Sequence, residues 1–225
     1  MTASSPRGTA REKRLLALLG VPVAVALVVS GIAPHDRGTW LLEVAPVLIA
    51  APIIALTWRR FPLTTLLCIL AALHALVLIY GGAYTYARVP LGFQIQELLG
   101  LQRNPYDRVG HLMQGFVPAI LAREILVRGN HVQGPWMLAF VCVCIPLAFS
   151  AFYELLEWGT ALALGGGSVD FLGTQGDVWD AQADMFCALI GAVVALATLS
   201  SLHDRQMRLL PATTKTPPVA AASKR

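Results

Sequence analysis

The chain has 225 residues, of which 56% are hydrophobic and only 13% charged. Soluble domains carry about 25% charge, so an ordinary water-soluble domain is excluded. The net charge of +4 is no nucleic-acid signature, because the basic residues sit between apolar runs and at the termini. The cysteines Cys68, Cys142, Cys144 and Cys187 lie inside apolar runs without a C-x-x-C pair, so they read as small buried hydrophobes rather than metal or redox ligands.

In chain order, a basic segment (Arg7, Arg11, Lys13, Arg14) precedes an apolar run over about 15–32. That run is long and ends in Ala33-Pro34-His35 rather than at a small-residue cleavage site, so it is expected to stay as a membrane helix. Further runs follow at about 40–57, 62–80, 107–126, 135–164 and 178–202. Each is long enough to cross a hydrocarbon core about 30 Å thick. The expected fold is all-α: a polytopic membrane helix bundle of about six spans over 14–203, between a basic tail (1–13) and a disordered polar tail (204–225). Between the third and fourth spans, 91–101 mixes apolar and polar residues at helical spacing. Within 88–104 it is expected to form a short helix in the interface plane, with a re-entrant loop as the alternative.

The arginines and lysines divide unequally between the two sides. The N-terminal tail, Arg59, Arg60, Arg123, Arg128 and the C-terminal bases fall on one side; Arg37, Arg88, Arg103 and Arg108 fall on the other. The positive-inside rule then places both termini in the cytoplasm.

This topology brings three polar strings to one depth at the outer face: Asp107-x3-His111 with Gln114, Glu154-x2-Glu157, and Asp177-x2-Asp180-x3-Asp184. Each string occupies one helical face, as expected if the three stripes converge inside the bundle. Ionisable groups in or beside hydrocarbon are costly and mark functional sites by default. A structural reading competes. Asp107 and Asp177 can cap their helices, and Arg108 or Arg123 can pair with a carboxylate in a network that merely joins helices. Capping does not account for Asp180 and Asp184, further along the helix, or for Glu154 and Glu157, which oppose the dipole near a C-terminus.

Crowded carboxylates repel unless protonated or neutralised by a cation, so a divalent-metal site is the sharper expectation. Asp and Glu oxygens suit Mg, Mn or Ca, and an added imidazole widens the choice to Zn or Fe; Mg, Mn or Zn is the expected ion. Under this reading His111, Asp107, Asp177 and Asp180 are metal ligands, Glu154, Glu157 and Asp184 are catalytic carboxylates, and Arg108, Gln114, Gln175 and Gln182 are further polar residues of the site. The Glu-x-x-His order of di-iron bundles is absent. His74 reads as a satisfied bundle histidine and Glu43 as a helix-end carboxylate able to join the cluster. His35, His131 and His203 read as loop or helix-end residues. Gly165-Gly-Gly167 reads as a flexible turn, without the lysine and threonine of a phosphate loop, and Gly173-Thr-Gln-Gly-Asp177 as shaping the start of the last span.

The strings Tyr106-Asp-Arg-Val-Gly-His-Leu-Met-Gln-Gly115, Tyr153-Glu-Leu-Leu-Glu-Trp158 and Leu172-Gly-Thr-Gln-Gly-Asp-Val-Trp-Asp-Ala-Gln-Ala-Asp-Met185, with Arg123-Glu124, resemble the YjdF family. The resemblance spans about 14–200. It implies a bacterial inner-membrane protein of an uncharacterised family and supplies no reaction. A looser similarity links the chain to VanZ-like membrane proteins, where Arg108 here stands in the lysine position of a D-K-x-x-H string; envelope chemistry is what that analogy implies. The P-S-G-H string of lipid phosphatases is absent, and Asp177-x2-Asp180 lacks the Gly and Ala-Arg of CDP-alcohol phosphotransferases.

The expected function is a metal-assisted enzyme acting on a lipid or cell-envelope precursor, with the bilayer as its environment and no nucleic-acid partner. The alternatives are a small transporter or ion-coupled carrier, although no inverted repeat is visible, and a non-enzymatic membrane sensor or assembly protein.

Overall fold

The computed structural model describes residues 10–163 and 174–210. Gly165–Gly167, Leu172, Gly173 and the polar tail beyond 210 lie outside the described residues. Among the described residues there are seven helices and no strand: α1 (Ala10–Ile32), α2 (Arg37–Thr57), α3 (Thr65–Ala83), α4 (Pro90–Leu99), α5 (Tyr106–Gly129), α6 (Pro135–Ala163) and α7 (Asp180–Met207).

Local chemistry sets the helix limits. Asp36 opens α2 by accepting a hydrogen bond from the Thr39 amide at 2.7 Å. This bond holds the Asp36 carboxyl below its ordinary range. Thr64 opens α3 by accepting from the Leu67 amide, so that helix starts after Pro62 rather than at it. Pro90 occupies the first turn of α4, which ends at the left-handed Gly100, and Asn130 in the same conformation ends α5. The last helix runs to Met207, past the expected limit near 202, and carries His203 and Asp204 into the bundle.

Five helices (α1, α2, α3, α6 and α7) are long and apolar enough to cross a membrane. α5 is as long but carries Asp107, Arg108, His111, Gln114, Arg123, Glu124 and Arg128. Such a helix cannot face hydrocarbon on all sides, and it does not: α5 is the central element, packed on α3, α6 and α7. Large apolar side chains point outward instead, among them Val25 and Val28 on α1 and Phe140 and Phe149 on α6.

Loop hydrogen bonds show that the helices alternate in direction. The His35 amide donates to the Ala83 carbonyl, and the Asn104 amide donates to Gln175 Oε1, which gathers these connections at one end. The Thr64 and Leu66 amides donate to Glu124 and Gln206, which gathers the others at the opposite end. The first is the acidic end of the bundle and the second the basic end. α4 lies at the acidic end with Leu91, Phe93, Leu98 and Leu99 exposed along it, the pattern of an interfacial helix.

The tightest packing is between α5 and α7. A Cβ on Gly115 would overlap the Ala188 carbonyl, and one on Gly191 would overlap the Leu112 carbonyl. With Ala188, Ala192 and Ala195 fully buried beside them, these positions let the two backbones touch, as small residues do in membrane bundles. A core of Leu67, Val117, Ile120 and Ala195 continues this seam towards the basic end.

Candidate functional site: a carboxylate and histidine cluster at the acidic end

The glycine contact places the first turns of α5 against those of α7, and α6 closes the third side. Asp107 and His111 from α5, Glu154 and Glu157 from α6, and Asp180 and Asp184 from α7 therefore meet, although up to 77 residues separate them in sequence. All but Glu154 are buried, Asp184 to 2% exposure and His111 to 5%. His111 Nε2 lies 3.6 Å from Asp107 Oδ1 and 3.5 Å from Glu154 Oε1.

Two triads of donors form around this imidazole: Asp107, His111 and Asp184, and His111, Glu154 and Glu157. In each, one ligand atom per residue lies within 4.8 Å of the others. The triads are also short of partners. His111 Nδ1, Gln114 Oε1, Glu154 Oε1 and Asp184 Oδ1 are buried with no hydrogen-bond partner. Buried polar atoms ordinarily have one, so several together at one spot point to a missing ligand.

Two arginines hold the rim. Arg103, from the loop after α4, pairs with Asp180 and lies 3.7 Å from Asp107 and 3.6 Å from Asp177. Arg108 donates to Asp177 at 2.7 Å. Asp177 precedes α7 in a turn and is part-exposed, so it does not continue the Asp180–Asp184 stripe. It accepts from the Trp179 amide at 2.9 Å, which together with Arg108 and Arg103 keeps its carboxyl below the ordinary aspartate range. Gln175 uses both amide atoms on one backbone residue, Oε1 accepting from the Asn104 amide and Nε2 donating to its carbonyl, each at 3.0 Å. This clamp ties the turn before α7 to the α4–α5 loop. Gln182 lies on the exposed side of α7, away from the cluster.

Further residues complete the site. Glu43 of α2 is buried and accepts from the Tyr153 hydroxyl at 2.7 Å, and the Tyr153 ring stands edge-on to His111, centroids 6.4 Å apart. Tyr153 directly precedes Glu154 in the motif, and that adjacency was its one visible signal. Arg103 gave none beyond its charge, since a loop delivers it.

A second buried polar cluster lies at the basic end. Glu124, fully buried, accepts from the Thr64 amide at 3.0 Å, the Thr64 hydroxyl at 2.7 Å and Arg128 at 2.7 Å. His203 Nε2 lies 2.9 Å from Oε2, the oxygen that also accepts from the Thr64 hydroxyl. Arg123 is 3.4 Å from His203 Nδ1 and pairs with Asp204 at 2.8 Å. A guanidinium only donates, so Nδ1 accepts and Nε2 carries the proton donated to Glu124. His203, expected as a loop or helix-end residue, is thus fully buried, because α7 extends beyond its apolar run. His74, expected to be satisfied, has a buried Nε2 without a partner.

A cavity of about 950 Å³ runs from the cluster along α2, α5 and α6. Glu43, Asp107, His111, Tyr153 and Glu157 line its acidic end, and Ile53, Phe61, Leu121 and Ile125 line its remainder.

Comparison with known proteins gives the same architecture a lineage. No solved structure matches the chain. The inner membrane protein YjdF of Escherichia coli (strain K12) is 56% identical over 186 residues, which are 83% of this chain and 89% of that protein. The profile of a family described as predicted membrane proteins (DUF2238) matches residues 15–205, the whole bundle with both polar clusters. The chain therefore belongs to this DUF2238 membrane protein family and is a multi-pass inner-membrane protein.

Proposed function

We propose that the protein is a membrane-embedded, metal-assisted enzyme whose site opens at the outer face of the inner membrane and acts on a lipid or envelope precursor. The observation that carries this reading is the buried triad Asp107, His111 and Asp184, with donor atoms within 4.8 Å of one another and two of its buried atoms unpartnered. Donors at about 2.0–2.2 Å from one tetrahedral ion stand roughly 3.4 Å apart, so the triad closes on an ion by rotation of its side chains. The imidazole favours Zn over Mg, and the two carboxylates also suit Mn. Asp177 and Asp180, engaged by Arg108 and Arg103, serve better to orient the rim than to ligate.

The chain's own groups have distinct parts in this scheme. A bound ion would supply Lewis acidity towards a phosphate or carbonyl oxygen and a more acidic water. Glu154, next to His111 with one oxygen unpartnered, is placed to take a proton from such a water, and Glu157 stands behind it. Tyr153 bridges Glu43 to the cluster and ties the α6 wall to α2. The distribution of Lys and Arg between the two ends supports an outer location for the acidic end.

Metal content of the purified protein tests the reading, measured beside His111→Ala and Asp184→Asn. About one Zn or Mn per chain, lost in both variants, is the expected result. A metal-free wild type whose stability ignores chelators would overturn it. Cation-dependent proton uptake in vesicles that Glu154→Gln abolishes would favour a carrier instead.

A further inference from the structure

The cavity between α2 and α6 has the shape of a lipid chain rather than of a compact ligand. Its walls extend along α2 from Leu42 to Thr57 and along α5 from Asp107 to Arg128, roughly 22 and 31 Å at 1.5 Å per residue. α2 packs on α1 and α3, and α6 on α5 and α7, but among the described residues α2 and α6 do not pack on each other along their lengths. Tyr153 to Glu43 joins them at the acidic end. Below that bond the central helix α5 shows apolar side chains to the gap: Leu121 is 37% and Ile125 44% exposed. An opening of this kind within the hydrocarbon zone takes apolar groups, and lipid chains are those the bilayer supplies.

The two ends of the cavity differ in chemistry. Its acidic end gathers Glu43, Asp107, His111, Gln114 and Glu157, and two prolines add acceptors there. Pro46 and Pro118 have no N–H to offer the carbonyls of Leu42 and Gln114, and all four residues line the cavity. The slot is apolar in its middle and open sideways to the bilayer, with Arg128 and His131 at its far end. Arg128 is already engaged there by Glu124 and the Pro62 carbonyl, whereas the cluster has unpartnered atoms, so an amphiphile fits with its head at the cluster.

We infer that the cavity holds one acyl chain of a membrane phospholipid, which enters between α2 and α6 and brings its phosphate to the Asp107–His111–Asp184 cluster. This inference rests on the metal-site reading for the phosphate, because carboxylates alone would repel it and an ion between them would bridge it. The chain-holding part rests on the cavity alone.

Photocrosslinking of the full-length protein in vesicles carrying a phospholipid with a diazirine on its acyl chain tests this directly. Labelling is expected on α2 and α5 peptides facing the cavity. It should fall by about tenfold in Leu121→Trp, equivalent to about 1.4 kcal/mol of binding, while labelling around Val25 and Val28 of α1 stays the same. Ile53→Trp fills the cavity from α2 and serves if Leu121→Trp does not fold. Equal labelling of α1 and α5, unchanged in either tryptophan variant, would mean annular lipid only and would overturn the inference. Stronger labelling by a free fatty-acid probe than by the phospholipid would overturn the headgroup assignment. The metal reading fails separately: Leu121→Trp should keep its metal, and His111→Ala should lose the metal yet keep the labelled chain.

Discussion

The two buried polar clusters contain similar residues and differ in how they are satisfied. At the basic end every Glu124 oxygen is engaged, by Thr64, Arg128 and His203, and Asp204 answers Arg123. At the acidic end carboxylates outnumber the two rim arginines, and atoms of His111, Gln114, Glu154 and Asp184 have no partner. A completed network joins helices, whereas an incomplete one is held in place by the rest of the fold and awaits a ligand. Burial alone does not separate the two, since Glu124 and Asp184 are equally hidden. Partner count does.

The contrast can be broken most decisively at Glu124. Replacing it with Ala leaves Arg128 and His203 buried without their acid and is expected to cost about 3–5 kcal/mol, read as thermal unfolding in detergent. A loss below 1 kcal/mol would mean that the basic-end network is not structural. Asp184→Asn, compared with chelator-treated wild type, should behave in the opposite way. Removing one of several crowded charges should leave stability unchanged or raise it by about 1 kcal/mol. A loss as large as that of Glu124→Ala would erase the distinction between the clusters. The smallest effect concerns Asp177, whose depressed carboxyl contributes order to the turn before α7 above the ordinary aspartate range. That contribution is lost as pH falls through its folded value, so the protection of the Trp179 amide against hydrogen exchange, relative to its unstructured rate, should fall in acid, and Asp177→Asn should remove that pH dependence.

Much of this was legible in the residues. The apolar runs located the long helices, and the amphipathic stretch before the fourth span became α4. The stripes of α5, α6 and α7 converge because i, i+3 and i+4 positions share a face. The same rule explains Gln182: two residues from both Asp180 and Asp184, it points the other way. Other features depend on long-range assembly and left no local trace. Arg103 reaches Asp180 from a loop, Gln175 clasps a backbone 71 residues away, and Glu124 meets His203 across 79 residues. The cavity is likewise a property of two helices that stand apart, which no periodicity reports.

The glycines at 115 and 191 have one further consequence, which concerns motion. Where α5 and α7 meet through backbone atoms, no side chain lies between them to change rotamer and absorb a displacement. The spacing of the backbones that carry His111 and Asp184 is thereby set by two main chains in contact, so the donors close on an ion by side-chain rotation alone. One wall of the site is an anvil. Whatever yields when a molecule arrives must be the opposite wall, and α6 beyond Pro146, which bears Glu154 and Glu157, follows the one break in that helix's hydrogen-bond ladder that proline imposes.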